Sequence, residues 1–199
     1  IKAVAGTYLA QAYLPRNNYD TVTMYLDAIS EWADKNSNEY IRTIIHNTRA
    51  ICAIQVDMDY AKARNHFNTA LELSRETGDV TNIVMLLTNI ANIYYIRRDT
   101  AGLRYAEEAY TLSKENGGAS YALASATILM AQMHILAEQY EEALPYANEI
   151  IELSKVPELS RHRVTAHTIS GKVKARLGDS AEAGNHFEEA LRLNPAAND

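Results

Sequence analysis

The sequence predicts an all-α protein built from about five helix–turn–helix repeats with a period near 40 residues. Three observations carry this. The unit Asn65-His66-Phe67-x-x-Ala70-Leu71 returns as Asn185-His186-Phe187-x-x-Ala190-Leu191. A small-residue slot recurs at Val22, Ala63, Gly102, Ala143 and Ala183. Apolar residues then follow each slot at spacings of four, three and three, which trace one stripe along an α-helix.

The stripe defines the second helix of each repeat. Its first slot after the small residue holds Leu26, Phe67, Ala106, Ala147 and Phe187. The next holds Ile29, Ala70, Ala109, Ile150 and Ala190, and the last holds Trp32, Leu73, Leu112, Leu153 and Leu193. Small residues let the paired helices approach closely, and the change of size between copies predicts interdigitation. The repeats are expected at approximately 3–38, 44–79, 84–118, 124–159 and 164–197. Within them Asn17-Asn18, Asp57-Met58-Asp59, Arg98-Asp99 and Gly178-Asp179 read as short turns. Residues 71–77, 110–116 and 151–156 read as extended second-helix ends, stopped by Gly78, by Gly117-Gly118 and at Pro157. The last copy ends at Asn194-Pro195.

In the segment 166–195, Gly171, Gly178, Ala183, Phe187, Ala190 and Pro195 fall where a tetratricopeptide repeat (TPR) has its signature small, aromatic and terminating residues. The chain resembles the TPR family over nearly its whole length. That resemblance implies a right-handed α-solenoid, in which no repeat buries its apolar face alone and neighbours must stack. The period near 40 and endings such as Leu73-Ser74-Arg75-Glu76 are similar to TPR domains of bacterial signalling and transcription regulators. A single domain over 1–199 is expected, since no linker or low-complexity tract interrupts it. Ile1 opens inside or close to a helix, and no amphipathic helix follows the last one to cover it. Both features lead to the expectation of a fragment of a longer chain.

Charge narrows the function. The net charge of −6 and pI of about 5.5 leave no basic footprint for duplex nucleic acid. The densest cations, Arg161-His162-Arg163 and Arg97-Arg98, read as solvated helix ends and turns. Direct nucleic-acid binding is therefore not expected, and no run is apolar enough for a membrane span. Cys52 is the only cysteine; it reads as a small core residue, and a cytoplasmic setting is expected, with the periplasm left open.

No catalytic or cofactor motif is present, so the chain is expected to be neither an enzyme nor a cofactor protein. His162 and His167 are five apart, and His186-Phe187-Glu188-Glu189 is not HExxH, so no metal site is expected. Asp57-Met58-Asp59 lacks the glycine and glutamate of a calcium loop. His66 and His186 share a slot with Tyr25, Tyr105 and Tyr146, a row of rings that reads as packing between repeats.

Function is therefore expected on a surface. In the TPR family the first helix of each pair lines a concave groove, and the resemblance carries certain positions over. These are Thr48, Gln55, Thr88, Asn89, Asn92, Tyr95, Gln132, Thr168 and Lys172. Asn89 and Asn92, three apart, share a helix face and are the foremost expectation for contact with a peptide backbone, because an amide both donates and accepts. The implied function is a non-catalytic scaffold for a protein or peptide. The alternative is a sensory or oligomerising domain of a larger regulator, including a homo-oligomer.

Overall fold

Each second helix begins the same way. At 17, 58, 98, 138 and 178 one residue takes the left-handed conformation, with φ of 54, 51, 57, 59 and 86° at Asn17, Met58, Arg98, Glu138 and Gly178. The amide of the next residue bonds back to a carbonyl of the preceding helix: Asn18 to Tyr13, Asp59 to Ala53, Asp99 to Tyr94, Gln139 to His134 and Asp179 to Lys174. These closures satisfy carbonyls that a helix end would leave bare. The same residues then start the next helix. The side chains of Asn18, Asp59, Asp99 and Asp179 accept from backbone amides two or three residues on.

The computed structural model describes residues 2–14, 17–117 and 121–194. Gly118, Pro195 and the side chain of Gln11 lie outside what is described. The described residues form helical hairpins: α1 (Lys2–Tyr13) with α2 (Tyr19–Lys35), α3 (Glu39–Asp57) with α4 (Tyr60–Thr77), α5 (Val80–Ile96) with α6 (Leu103–Glu115), α7 (Tyr121–Leu136) with α8 (Tyr140–Leu153), and α9 (Arg163–Arg176) with α10 (Ser180–Leu193). Contacts divide the chain into two compact units, 1–90 and 91–199.

In the first unit, Val22, Leu26, Ile29 and Ala33 of α2 meet Ile41 and Ile45 of α3 in one core. Phe67 of α4 is 1 % exposed. In the second, Ala106 packs with Leu129, Met130 and Met133, and Ala143 and Ala147 pack with Ile169 and Val173. All five small-slot residues are buried, as the stripe predicts. Two glycines, Gly102 of the slot and Gly171 of α9, stand at close approaches. A Cβ on Gly102 would collide with Tyr94, and one on Gly171 would sit 2.7 Å from the Phe187 ring. A salt bridge and a phenol tie α6 to α8: Lys114 Nζ donates to Glu149 at 2.9 Å, and Tyr110 Oη donates to the same carboxylate at 2.7 Å.

Several details depart from the sequence reading. Trp32 and Phe187, assigned to the core stripe, are 41 % and 38 % exposed. One side of the Phe187 ring rests on Gly171, and the rest faces solvent. Pro157 does not cap α8, which already ends at Leu153. It opens a 3-10 helix over Pro157–His162, a role that suits a residue with fixed φ and no amide proton. The cluster at 161–163 is engaged within the chain. The Arg161 guanidinium lies 4.2 Å from the Tyr121 ring centre, His162 packs on the same ring, and Arg163 Nε donates to the Ser154 carbonyl.

Candidate functional site

In the second unit, three first helices contribute to one trough. Tyr95 comes from the last turn of α5, Gln132 and Ile135 from α7, and Val164, Thr165, Thr168, Ile169 and Lys172 from α9; together they line a concavity of about 150 Å³. The repeat brings them there. Equivalent positions on successive first helices face the same way, and Thr168 and Lys172, four apart, share a face of α9. The concavity is continuous with a larger one of about 560 Å³, through the shared residues Tyr95, Gln132, Ile135 and Lys172. The larger part adds Ile96, Arg98, Leu136, Glu138, Tyr140 and Arg176. Arg98 and Glu138 are the left-handed turn residues of their hairpins, so the turn geometry sets them at the rim.

Four of the nine expected groove residues, Tyr95, Gln132, Thr168 and Lys172, thus meet in one trough. Of the other five, four belong to the first unit and one, Asn92, to the second. Thr48 is 0 % exposed, and its hydroxyl donates to the Ile44 carbonyl at 2.8 Å, so it has no surface to offer a ligand. Thr88 is half-buried and donates to the Val84 carbonyl, just as Thr168 donates to Val164. A threonine inside a helix closes its hydroxyl on the carbonyl four residues back, which accounts for this row of threonines without a ligand. Gln55 is exposed near the end of α3. Asn89 is half-buried and Asn92 exposed on α5, and Asn92 is not among the residues lining the trough.

The first unit has its own concavity of about 470 Å³, including Tyr19, Asp20, Asp27, Arg49, Cys52, Asp57, Lys62 and His66. The sequence reading did not find it, because its lining comes from three different helices with no shared slot. Most of its charges are matched inside the chain. Arg49 reaches Asp27 at 2.8 Å and the Ser30 hydroxyl at 3.0 Å, and Lys62 lies 3.5 Å from Asp57. Cys52 is half-buried. Burial, followed by the charge of Asp57, pushes its thiol up from the ordinary value, which disfavours the reactive thiolate.

Each ring of the row pairs inside its own hairpin with a ring of the first helix, and Tyr146 also packs between repeats, its ring meeting Tyr110 of α6 edge-on at 5.2 Å. The pairs are Tyr13–Tyr25, His46–His66, Tyr94–Tyr105, His134–Tyr146 and His167–His186, with centroids 5.3–6.0 Å apart. In the two histidine pairs the Nδ1 atoms approach to 3.1 Å, so one ring must donate and the other accept. Burial first, then the neighbouring His66 and Arg49, lowers His46 to about 4. Burial and His186 lower His167 in the same way. Among the described residues, no group of three or more His, Cys, Asp or Glu could hold a metal, and no helix is long and apolar enough to cross a membrane.

Comparison with known proteins agrees with this architecture. Residues 164–196 match the model of a tetratricopeptide repeat. No curated protein matches the sequence. Among solved structures, the chain is similar to a signal transduction ATPase with numerous domains (STAND) from Pyrococcus horikoshii, which has a tetratricopeptide repeat sensor. The identity is 17 % and the TM-score 0.75, over 99 % of this chain and 34 % of that one. It is similar to a Rap protein complexed with competence and sporulation factor, with 19 % identity and TM-score 0.68, over 89 % of this chain and 49 % of that one. It is also similar to a MamA double mutant, with 18 % identity and TM-score 0.69, over 98 % of this chain and 96 % of that one. At such identities the likeness is one of fold. The last hairpin is thus a tetratricopeptide repeat by sequence, and the chain has the fold of TPR proteins. It spans about a third of the STAND chain and about half of the Rap chain.

Proposed function

We propose that the chain is a non-catalytic scaffold that binds an extended protein or peptide segment along the trough of its second unit. The observation behind this reading is the convergence of Tyr95, Gln132, Thr168 and Lys172 from three first helices on one concavity. Their chemistry suits a peptide. The Gln132 amide can donate to and accept from a backbone unit. The Tyr95 ring offers a flat apolar face with a polar tip. Ile135 and Ile169 supply apolar floor between them. The test is capture from source-cell lysate by wild type and by a Tyr95→Ala, Gln132→Arg variant of unchanged helicity. A partner held by wild type and released by the variant supports the reading. A partner held equally by both counts against it.

A second reading is a sensory or oligomerising domain of a larger bacterial signalling or transcription regulator. It is favoured by the short share of the STAND and Rap chains that this chain covers. Light scattering over a range of concentrations separates the two: a mass that grows with concentration supports self-association, and a constant monomer mass removes that form of it.

A further inference from the structure

We infer that the cleft of the first unit, lined by α2, α3 and α4, is a binding site for a free α-amino acid with an aliphatic side chain. It belongs to the first unit, so it stands or falls independently of the peptide-binding reading.

The first support is what the same repeat positions do in the second unit. Residues 80 apart are equivalent, as Val22 is to Gly102 and Ala63 to Ala143. In the second unit Leu103, Ala106, Leu129, Met133, Leu136 and Tyr146 belong to one packed apolar cluster. Their counterparts are Thr23, Leu26, Arg49, Ala53, Val56 and His66, and all six line the cleft of about 470 Å³. All but Leu26 are smaller or more polar than the residues they correspond to. Space that side chains fill in the second unit is thus left open in the first. An empty apolar void costs stability, whereas one walled by polar groups holds water or a ligand. The volume is that of a small-molecule pocket.

The second support is that both signs of charge stand around this one opening. Asp20, Asp27 and Asp57 share it with Arg49 and Lys62. Arg49 reaches Asp27 and Ser30 through Nη2 in both cases, so Nη1 and Nε keep protons to donate. Asp20 forms no ion pair among the described residues and is exposed. A ligand with a single charge would answer only one of these groups. A zwitterion answers both, its ammonium against Asp20 and its carboxylate on the Arg49 guanidinium. Leu26, Ala53 and Val56 supply an apolar wall for an aliphatic side chain. A metal ion is a poor alternative, because no three His, Cys, Asp or Glu among the described residues are placed to hold one.

The test titrates each proteinogenic L-α-amino acid into the chain by isothermal titration calorimetry. Expected is binding of valine, leucine, isoleucine or methionine with Kd of about 1 mM or tighter, and of glycine roughly tenfold more weakly. The N-acetyl and amide derivatives of the best ligand, each lacking one charge, should lose about tenfold or more in affinity. Asp20→Asn, at an exposed position, should weaken the best ligand by a similar factor. The Thr23→Leu, Val56→Leu variant copies Leu103 and Leu136 into two exposed positions and should abolish binding, with circular dichroism verifying an unchanged fold.

No amino acid binding to wild type at that level overturns the inference. So does a best ligand whose decarboxylated amine or deaminated acid binds equally well, since one charge then suffices. A ligand held equally by wild type, Asp20→Asn and the filled variant sits outside the cleft, which also overturns it. Each of these results leaves the peptide-binding reading as it was, because neither variant touches the trough.

Discussion

Phe67 and Phe187 occupy the same slot of the same Asn-His-Phe unit, yet truncating them should have unequal costs. Phe67 is 1 % exposed and Phe187 38 %. Phe67→Ala removes a fully enclosed ring and leaves a cavity, at a cost of about 3–5 kcal/mol. With more than a third of its surface already in water, Phe187→Ala should cost about 2–3 kcal/mol. The assay is urea unfolding followed by circular dichroism for both variants. Fluorescence of Trp32, the only tryptophan, reports the first unit separately. With a slope near 1.5 kcal/mol per M, Phe67→Ala should lower the fluorescence midpoint by about 2–3 M. Equal losses for the two variants, or a larger one for Phe187→Ala, would show that burial of the slot is not what sets its energy. That result would refute the reasoning.

Acidification should weaken the first unit. The folded state holds His46 at about 4, below the ordinary 6.5 of an unfolded chain, with burial first and then His66, Arg49 and Arg42 disfavouring its charge and Asp34 opposing them. The unfolded chain therefore takes up the proton first. The contribution is whole above pH 6.5 and is lost as pH falls towards 4. The Trp32 midpoint should fall across that window, and by less in His46→Gln; an identical fall in both variants would rule the pair out as its cause. Gly171→Ala would place a methyl 2.7 Å from the Phe187 ring and should cost about 1–3 kcal/mol in urea unfolding. A neutral result would mean that the ring moves aside freely. Glu138, at φ 59°, holds a conformation that glycine adopts without strain. Glu138→Gly should therefore raise stability by up to about 1 kcal/mol in the same assay.

Helix periodicity and punctuation are local properties, so the hairpins are legible in the order of residues alone. The small slots at Val22, Ala63, Gly102, Ala143 and Ala183 must be buried wherever a second helix packs on its partner. The turns at Asn17, Met58, Arg98 and Gly178 are legible in their Asn, Asp and Gly punctuation, whereas the one at Glu138 shows only in the structure. The candidate site is legible only in part. Naming Tyr95, Gln132, Thr168 and Lys172 rests on the resemblance to tetratricopeptide repeats, which implies the first-helix positions that face a groove. The same resemblance also names Thr48, which is fully buried, and Asn92, which is not among the residues lining that trough.

The sequence by itself determined an all-α chain of helical hairpins, their register and the residues that must lie between paired helices. Only the tertiary structure decided which first-helix residues share a concavity, that each ring has a partner inside its own hairpin, and that Arg98, Lys172 and Arg176 stand with Glu138 around one trough. The reason is physical. A helix and its caps follow from interactions within a few residues, whereas the depth of a trough and the balance of charge across it depend on groups from three hairpins, far apart in the chain.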